Sequence, residues 1–142
     1  MANAGRTISA IGKYRKVDVH SAVLGASPHR LVQLLFDGAL ARLAEALGHI
    51  ERGNMAGKRA AIDACIAIIN GLRGGLNMEA GGELAVRLDQ LYDYMARRLV
   101  SANRRSDPEA LREVHRLLCE IRTGWDGIRE AAESISMAAS NG

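Results

Sequence analysis

The chain has 142 residues, 48% hydrophobic and 4% aromatic, enough for one domain with an aliphatic core and no covalent staples. Its 19 basic and 16 acidic residues leave a net charge of +3, interleaved along the chain, which argues against a dedicated nucleic-acid-binding face. No apolar run reaches the roughly 18 residues of a membrane span, no secretory leader is expected, and the isolated Cys65 and Cys119 read as reduced, buried thiols of a cytosolic protein.

Residues 1–26 read as an N-terminal arm: small, polar and basic, with Ile8, Ile11, Tyr14 and Val17 scattered through it and Arg6, Lys13, Arg15 and Lys16 ahead of the first acid, Asp18. A first helix starts at A-S-P-H. Ser27 is suited to cap it, and Pro28 fits the first helical position, where its missing N–H would be unbonded anyway. Leu31, Leu35, Ala39, Leu43, Ala46, Leu47 and Ile50 form its stripe, and Gly53 ends it. Asn54 caps a second helix with Ile62, Cys65, Ile66, Ile69, Leu72 and Leu76 on one face.

The pattern breaks at Gly81-Gly82, so a third helix is expected after them, with Leu84, Leu88, Leu91, Met95, Leu99 and Ala102 inward. Asp107, Pro108 and Glu109 cap and start the fourth, which spans residues 107–133. Its stripe runs Leu111, Val114, Leu118, Ile121, Trp125, Ile128 and Ala132, at alternating spacings of three and four. Trp125 is therefore expected to be largely buried. Residues 134–142 read as a flexible tail. Short connections between long amphipathic helices predict an all-α, antiparallel up-down four-helix bundle over residues 27–133.

Apolar residues exceed what four narrow stripes require: Leu34, Phe36 and Leu40 in the first helix, Ile68 in the second, Val86, Tyr92 and Tyr94 in the third and Leu117 in the fourth. A broad core face accounts for some of them; a partner site accounts for others. Tyr92 and Tyr94 cannot both face the core. Interior glycines such as Gly38, Gly71 and Gly124 fit either close helix approach or a bundle loose enough to accept another chain.

Enzyme signatures are missing. No Asp or Glu has a histidine three residues on, as a di-iron bundle needs, and neither a phosphate-binding loop nor a nucleophile elbow is present. No metal and no cofactor is expected. His20, His29 and His115 have no evident partner and are expected at the surface.

The motifs I-G-K-Y (11–14), S-A-V-L-G-A-S-P-H-R-L (21–31), L-L-F-D-G-A-L (34–40), G-L-N-M-E-A-G-G-E-L-A (75–85), L-D-Q-L-Y-D-Y-M-A-R-R-L (88–99) and A-N-R-R-S-D (102–107), with the Trp125 region, together resemble the flagellar secretion chaperones, the FliS family. The resemblance covers roughly residues 8–130. It implies an antiparallel helical bundle, not an enzyme. It implies a cytosolic chaperone that holds the disordered C-terminal segment of flagellin, prevents premature polymerisation and docks at the flagellar type III export gate. The family's N-terminal segment covers part of a hydrophobic groove, and Ile11 and Tyr14 occupy those positions here.

From the spare apolar positions, the candidate partner-binding residues are Leu72, Met78, Leu84, Leu91, Tyr92 and Met95, with Asn70 as a backbone-binding amide and Ile11 and Tyr14 on the arm. No nucleic acid and no stable membrane insertion is expected, and the free protein is left open as monomer or dimer. Two other classes compete: a basic nucleic-acid-binding regulator using the arm with Arg97-Arg98 and Arg104-Arg105, and a structural bundle that self-associates through its spare apolar face.

Overall fold

The computed structural model describes residues 27–127, which form four α-helices: α1 Pro28–Glu51, α2 Met55–Gly74, α3 Met78–Arg105 and α4 Pro108–Gly127. Each packs on its sequence neighbour, and α4 returns to α1, which closes the four into an up-down ring. The predicted bundle is therefore present. The arm, the tail and His20 lie outside the described residues.

The caps follow from local chemistry. The Ser27 hydroxyl accepts from Arg30 N at 3.2 Å, the Asn54 side chain from Gly57 N at 2.9 Å, and the Asp107 carboxylate from Glu109 N at 3.0 Å. Each satisfies an amide that has no partner within its helix. Gly53 leaves α1 with φ +71°, a conformation that only a residue without a Cβ adopts freely.

The expected break at Gly81-Gly82 is present: Gly82 leaves helical geometry, and a further helical turn precedes it. Asn77 caps α3 by accepting from Ala80 N at 3.0 Å, so the helix begins at Met78 and kinks at Gly82, with φ 52° and ψ −131°. The turn between α2 and α3 is Gly75–Asn77. Gly81 serves the same kink, because a Cβ there would come within 2.7 Å of the Ala85 methyl.

The core is aliphatic, as the composition requires. Leu43, Ala46, Ile62, Leu99, Ala102, Ala110, Leu111 and Val114 are completely buried, and they belong to the end of the bundle where α1 and α3 finish and α2 and α4 begin. Each such Leu or Ile stabilises the fold by about 1.5–3 kcal/mol relative to exposure. Phe36 and Ile68, spare by sequence, are core residues. The Cys65 thiol is buried and donates to the Ala39 carbonyl at 3.6 Å; burial pushes it up to about 12, so it stays protonated. Cys119 is only half-buried, beside His115.

Two expectations for single residues are corrected. His29 is not at the surface. It is buried and stacks on Trp125, with ring centroids 4.9 Å apart and planes 9° from parallel. Its Nε2 lies 2.9 Å from the Trp125 carbonyl, which only accepts, so the proton sits on Nε2. The Trp125 indole N–H in turn donates to the His29 carbonyl at 3.1 Å. Trp125 itself is half-buried, because the end of α4 faces the first turn of α1 and not the middle of the core.

The left-handed kink generates a test. Replacing Gly82 by Ala places a Cβ in a conformation that glycine alone tolerates, so Gly82→Ala is expected to cost about 1–3 kcal/mol in urea unfolding. Gly124→Ala, at an exposed position with no atom near the added methyl, should be neutral or mildly stabilising in the same assay.

Candidate partner-binding surfaces

The first surface follows from a mismatch in length. α3, counted with the turn before its kink at Gly82, has 28 residues, whereas α2 has 20. Arg73, one residue from the end of α2, donates from Nε to Asp89 Oδ1 at 2.6 Å and from Nη1 to Asp93 Oδ1 at 3.1 Å. The turns of α3 before Asp89 therefore run on past the end of α2. Leu84 lies on them. Its spacing from Leu88, Leu91 and Met95 puts it on the inward stripe, yet it is 58% exposed, because among the described residues no helix stands opposite. Met78 is 46% exposed, and Leu88 and Leu91 are partly buried against the core. This end of the bundle offers a contiguous apolar edge.

Charged clasps join the helices, and that of Arg73 lies beside the edge. Arg73 holds the Asp89 carboxyl below the usual range, chiefly through the hydrogen bond it donates. Between α3 and α4, the Tyr94 hydroxyl and Arg98 Nε each donate to Glu113 at 2.7 Å, and these two bonds lower the Glu113 pKa. Between α1 and α4, Arg122 Nε is 2.8 Å from Asp37 Oδ1, and Gln33 donates to Asp126.

A second surface lies at the opposite end. The outer seam of α2 and α3 holds a groove of about 540 Å³ with Met55, Ile66 and Val100 as its apolar part and Lys58, Arg59 and Arg104 as its basic part. Lys58 is buried. Its amine donates to the Asn103 carbonyl at 2.7 Å and to Ser106 Oγ at 2.8 Å. Asn103 is in the last turn of α3, where carbonyls have no helical partner, so the cation completes that helix end.

The residues expected to bind a partner divide between core and surface. Leu72, Tyr92 and Met95 are buried: Met95 is fully enclosed, and burial pushes the Tyr92 phenol above its usual range. Their inward-facing spacing made core and groove indistinguishable by pattern. Met78 and Leu84 are exposed, Leu91 and Asn70 are half-buried at the border, and Ile11 and Tyr14 lie outside the described residues. Of the two tyrosines, Tyr92 takes the core and Tyr94 the surface. Sequence reasoning missed Met55 and Val100. The available signal was that Val100 directly follows the stripe residue Leu99 and must point away from it. Arg97 and Arg98, part of the suspected basic cluster, pair with Asp93 and Glu113, although Arg97 remains largely in solvent.

Among the described residues, no group of three or more His, Cys, Asp or Glu is placed to hold a metal, and no helix is long and apolar enough to cross a membrane. The fold and its two unspent apolar surfaces define a helical-bundle binding protein. The family model described as "Flagellar protein FliS" matches residues 10–132, and the chain belongs to that family. It is 49% identical over 121 residues to the flagellar secretion chaperone FliSB of Pseudomonas aeruginosa, covering 85% of this chain and 96% of that one. It is 47% identical over 127 residues to the flagellar secretion chaperone FliS of Salmonella typhimurium, covering 89% and 94%. With FliS of Escherichia coli the identity is 42% over 113 residues, 79% and 83% of the two chains.

The clasps make stability depend on acidity. Asp89 and Glu113 both hold protons less tightly in the folded protein than in the unfolded chain. Their contribution is complete above the unfolded carboxylate pKa and is lost as pH falls through the lowered folded values. The melting temperature should therefore fall between about pH 5 and pH 2, and Asp89→Asn with Glu113→Gln should flatten part of that fall.

Proposed function

We propose that this protein is a cytosolic export chaperone that holds the disordered C-terminal segment of flagellin, keeps it from polymerising and delivers it to the flagellar type III export apparatus. Its relatives carry the name of flagellar secretion chaperones, which supports the export role. The observation that carries the client-binding role is Leu84: an inward-stripe leucine left 58% exposed on the part of α3 that outruns α2.

The energetics fit such a client. A disordered segment loses conformational freedom on binding and needs substantial apolar contact to compensate. An amphipathic stretch of flagellin laid along Met78, Leu84, Leu88 and Leu91 would continue the bundle's own packing as a substitute for the missing helix. The core residues Leu72, Tyr92 and Met95 then act from behind, by fixing the backbone that presents this edge. Asn70, half-buried near the end of α2, is positioned on the border of the same region.

Calorimetric titration with a flagellin C-terminal peptide should show one-to-one binding, a negative heat-capacity change and a gain of helix. Leu84→Asp should weaken binding at least about tenfold while leaving the melting temperature nearly unchanged, because the side chain is mostly in water already. Parent-like affinity in that variant would remove the edge from the client site.

The arm supplies regulation in this reading. Ile11 and Tyr14 are three residues apart, so one helical turn would present both to the same edge at the high local concentration of a tether. Removing residues 1–16 should increase self-association in sedimentation and leave flagellin affinity equal or tighter. A large loss of affinity in a folded truncation would place the arm inside the client site instead.

A further inference from the structure

The groove between α2 and α3 has no part in the reading above. It lies at the end where α2 begins and α3 finishes, a bundle length from Leu84. Met55 is 41% and Val100 51% exposed, and neither belongs to the core. With Ile66, which packs on the core from its edge, they make an apolar floor.

The rim is basic, and its charges are unspent. Six arginines elsewhere on the bundle, Arg42, Arg73, Arg97, Arg98, Arg112 and Arg122, each face an Asp or Glu, while among the described residues Arg30, Arg52, Arg87, Arg105 and Arg116 do not. Arg59 and Arg104 are exposed beside the groove, and among the described residues neither has a carboxylate within 4.0 Å. Lys58 adds a third cation, fixed behind them at the end of α3. The lone acid of the lining, Asp63, accepts from Asn103 Nδ2 at 3.3 Å. The groove therefore combines an exposed apolar floor with an excess of positive charge.

We propose that this groove is a second docking site, which takes an acidic amphipathic helix of a partner protein. Apolar side chains of that helix would cover Met55, Ile66 and Val100, and carboxylates on its flank would pair with Arg59 and Arg104. Guanidinium groups favour carboxylates through paired, charge-assisted hydrogen bonds. The seam between two antiparallel helices is shaped to accept a third. The apolar floor argues against a phosphate backbone, which would gain nothing from Met55 and Val100. The chain's own arm does not fit by charge, since Arg6, Lys13, Arg15 and Lys16 would meet like charge. The proposal does not depend on flagellin binding.

The test uses the full chain and a fluorescein-labelled synthetic helix of about 14 residues, with leucines at i, i+3, i+4 and i+7 and glutamates flanking them. Anisotropy should show saturable binding that weakens at least about tenfold when the glutamates become glutamines, and by a similar factor in Val100→Asp and in the double variant Arg59→Ala, Arg104→Ala. Leu84→Asp and a saturating flagellin C-terminal peptide should leave it unchanged, while calorimetry of that peptide reports the client site separately. All three substituted groove residues are exposed, so the variants should fold; melting curves check this, and if Val100→Asp unfolds the arginine pair decides. The proposal is overturned by failure of the acidic helix to bind, by equal binding of the glutamine helix, or by parent-like affinity in the variants. Displacement by single-stranded DNA would make the groove a phosphate site. Displacement by the flagellin peptide would make it part of the client path, and self-association abolished by Val100→Asp would assign it to a second copy of this chain.

Discussion

The excess length of α3 over α2 is the constraint from which the rest of the surface follows. An apolar stripe is favourable only where another helix covers it. α3 continues its stripe beyond the last residues of α2, and Arg73 at that end reaches only as far as Asp89 and Asp93. Before Asp89, Leu88 still packs against the core, but Leu84 and Met78 are exposed, with no helix opposite them among the described residues. The chain limits the exposure by kinking at Gly82, which folds the first turn back tightly enough that Gly81 meets Ala85. It does not remove the exposure, because Leu84 lies on the bundle side of the kink.

A bundle with one open end must be held by its other contacts. At the closed end, Lys58 joins the first turns of α2 to the last turn of α3, and Ser106 adopts a left-handed conformation, φ 49°, with its hydroxyl on that amine. A left-handed serine is unfavourable alone, and the buried cation and the neighbouring cap offset it. At the open end, the His29–Trp125 stack and its two reciprocal hydrogen bonds tie the start of α1 to the end of α4. The described ends of the chain are thereby fixed side by side, next to the exposed edge of α3. Whatever the flanking segments do, they leave the bundle where an apolar partner is needed.

The architecture was legible because helix caps and stripes are local signals. Ser27, Asn54 and Asp107 act as their side chains require, and Gly53 turns as a residue without a Cβ permits. Gly82 breaks the helix as two adjacent glycines permit, and the Asn77 cap starts a further turn ahead of it that the stripe alone does not show. Periodicity assigned residues to a face but not to a depth. Leu84 and Met95 share a stripe, and one is 58% exposed while the other is fully buried, a difference set by where α2 ends. His29 was hidden for another reason: its partner is 96 residues away, and no spacing rule connects the two.

The distribution of exposure also explains why binding need not deform the core. The fully buried side chains, Leu43 and Val114 among them, sit inside the bundle, whereas Leu84 and Met78 on the first turns of α3 are exposed. A client added to the exposed edge gains apolar contact without displacing any buried side chain, so the favourable term is not spent on rearranging the host. A disordered client has little surplus to lose, because ordering its own chain already consumes much of the interaction. On the proposed reading, an apolar edge exposed in advance lets a flexible segment dock without rearranging the core.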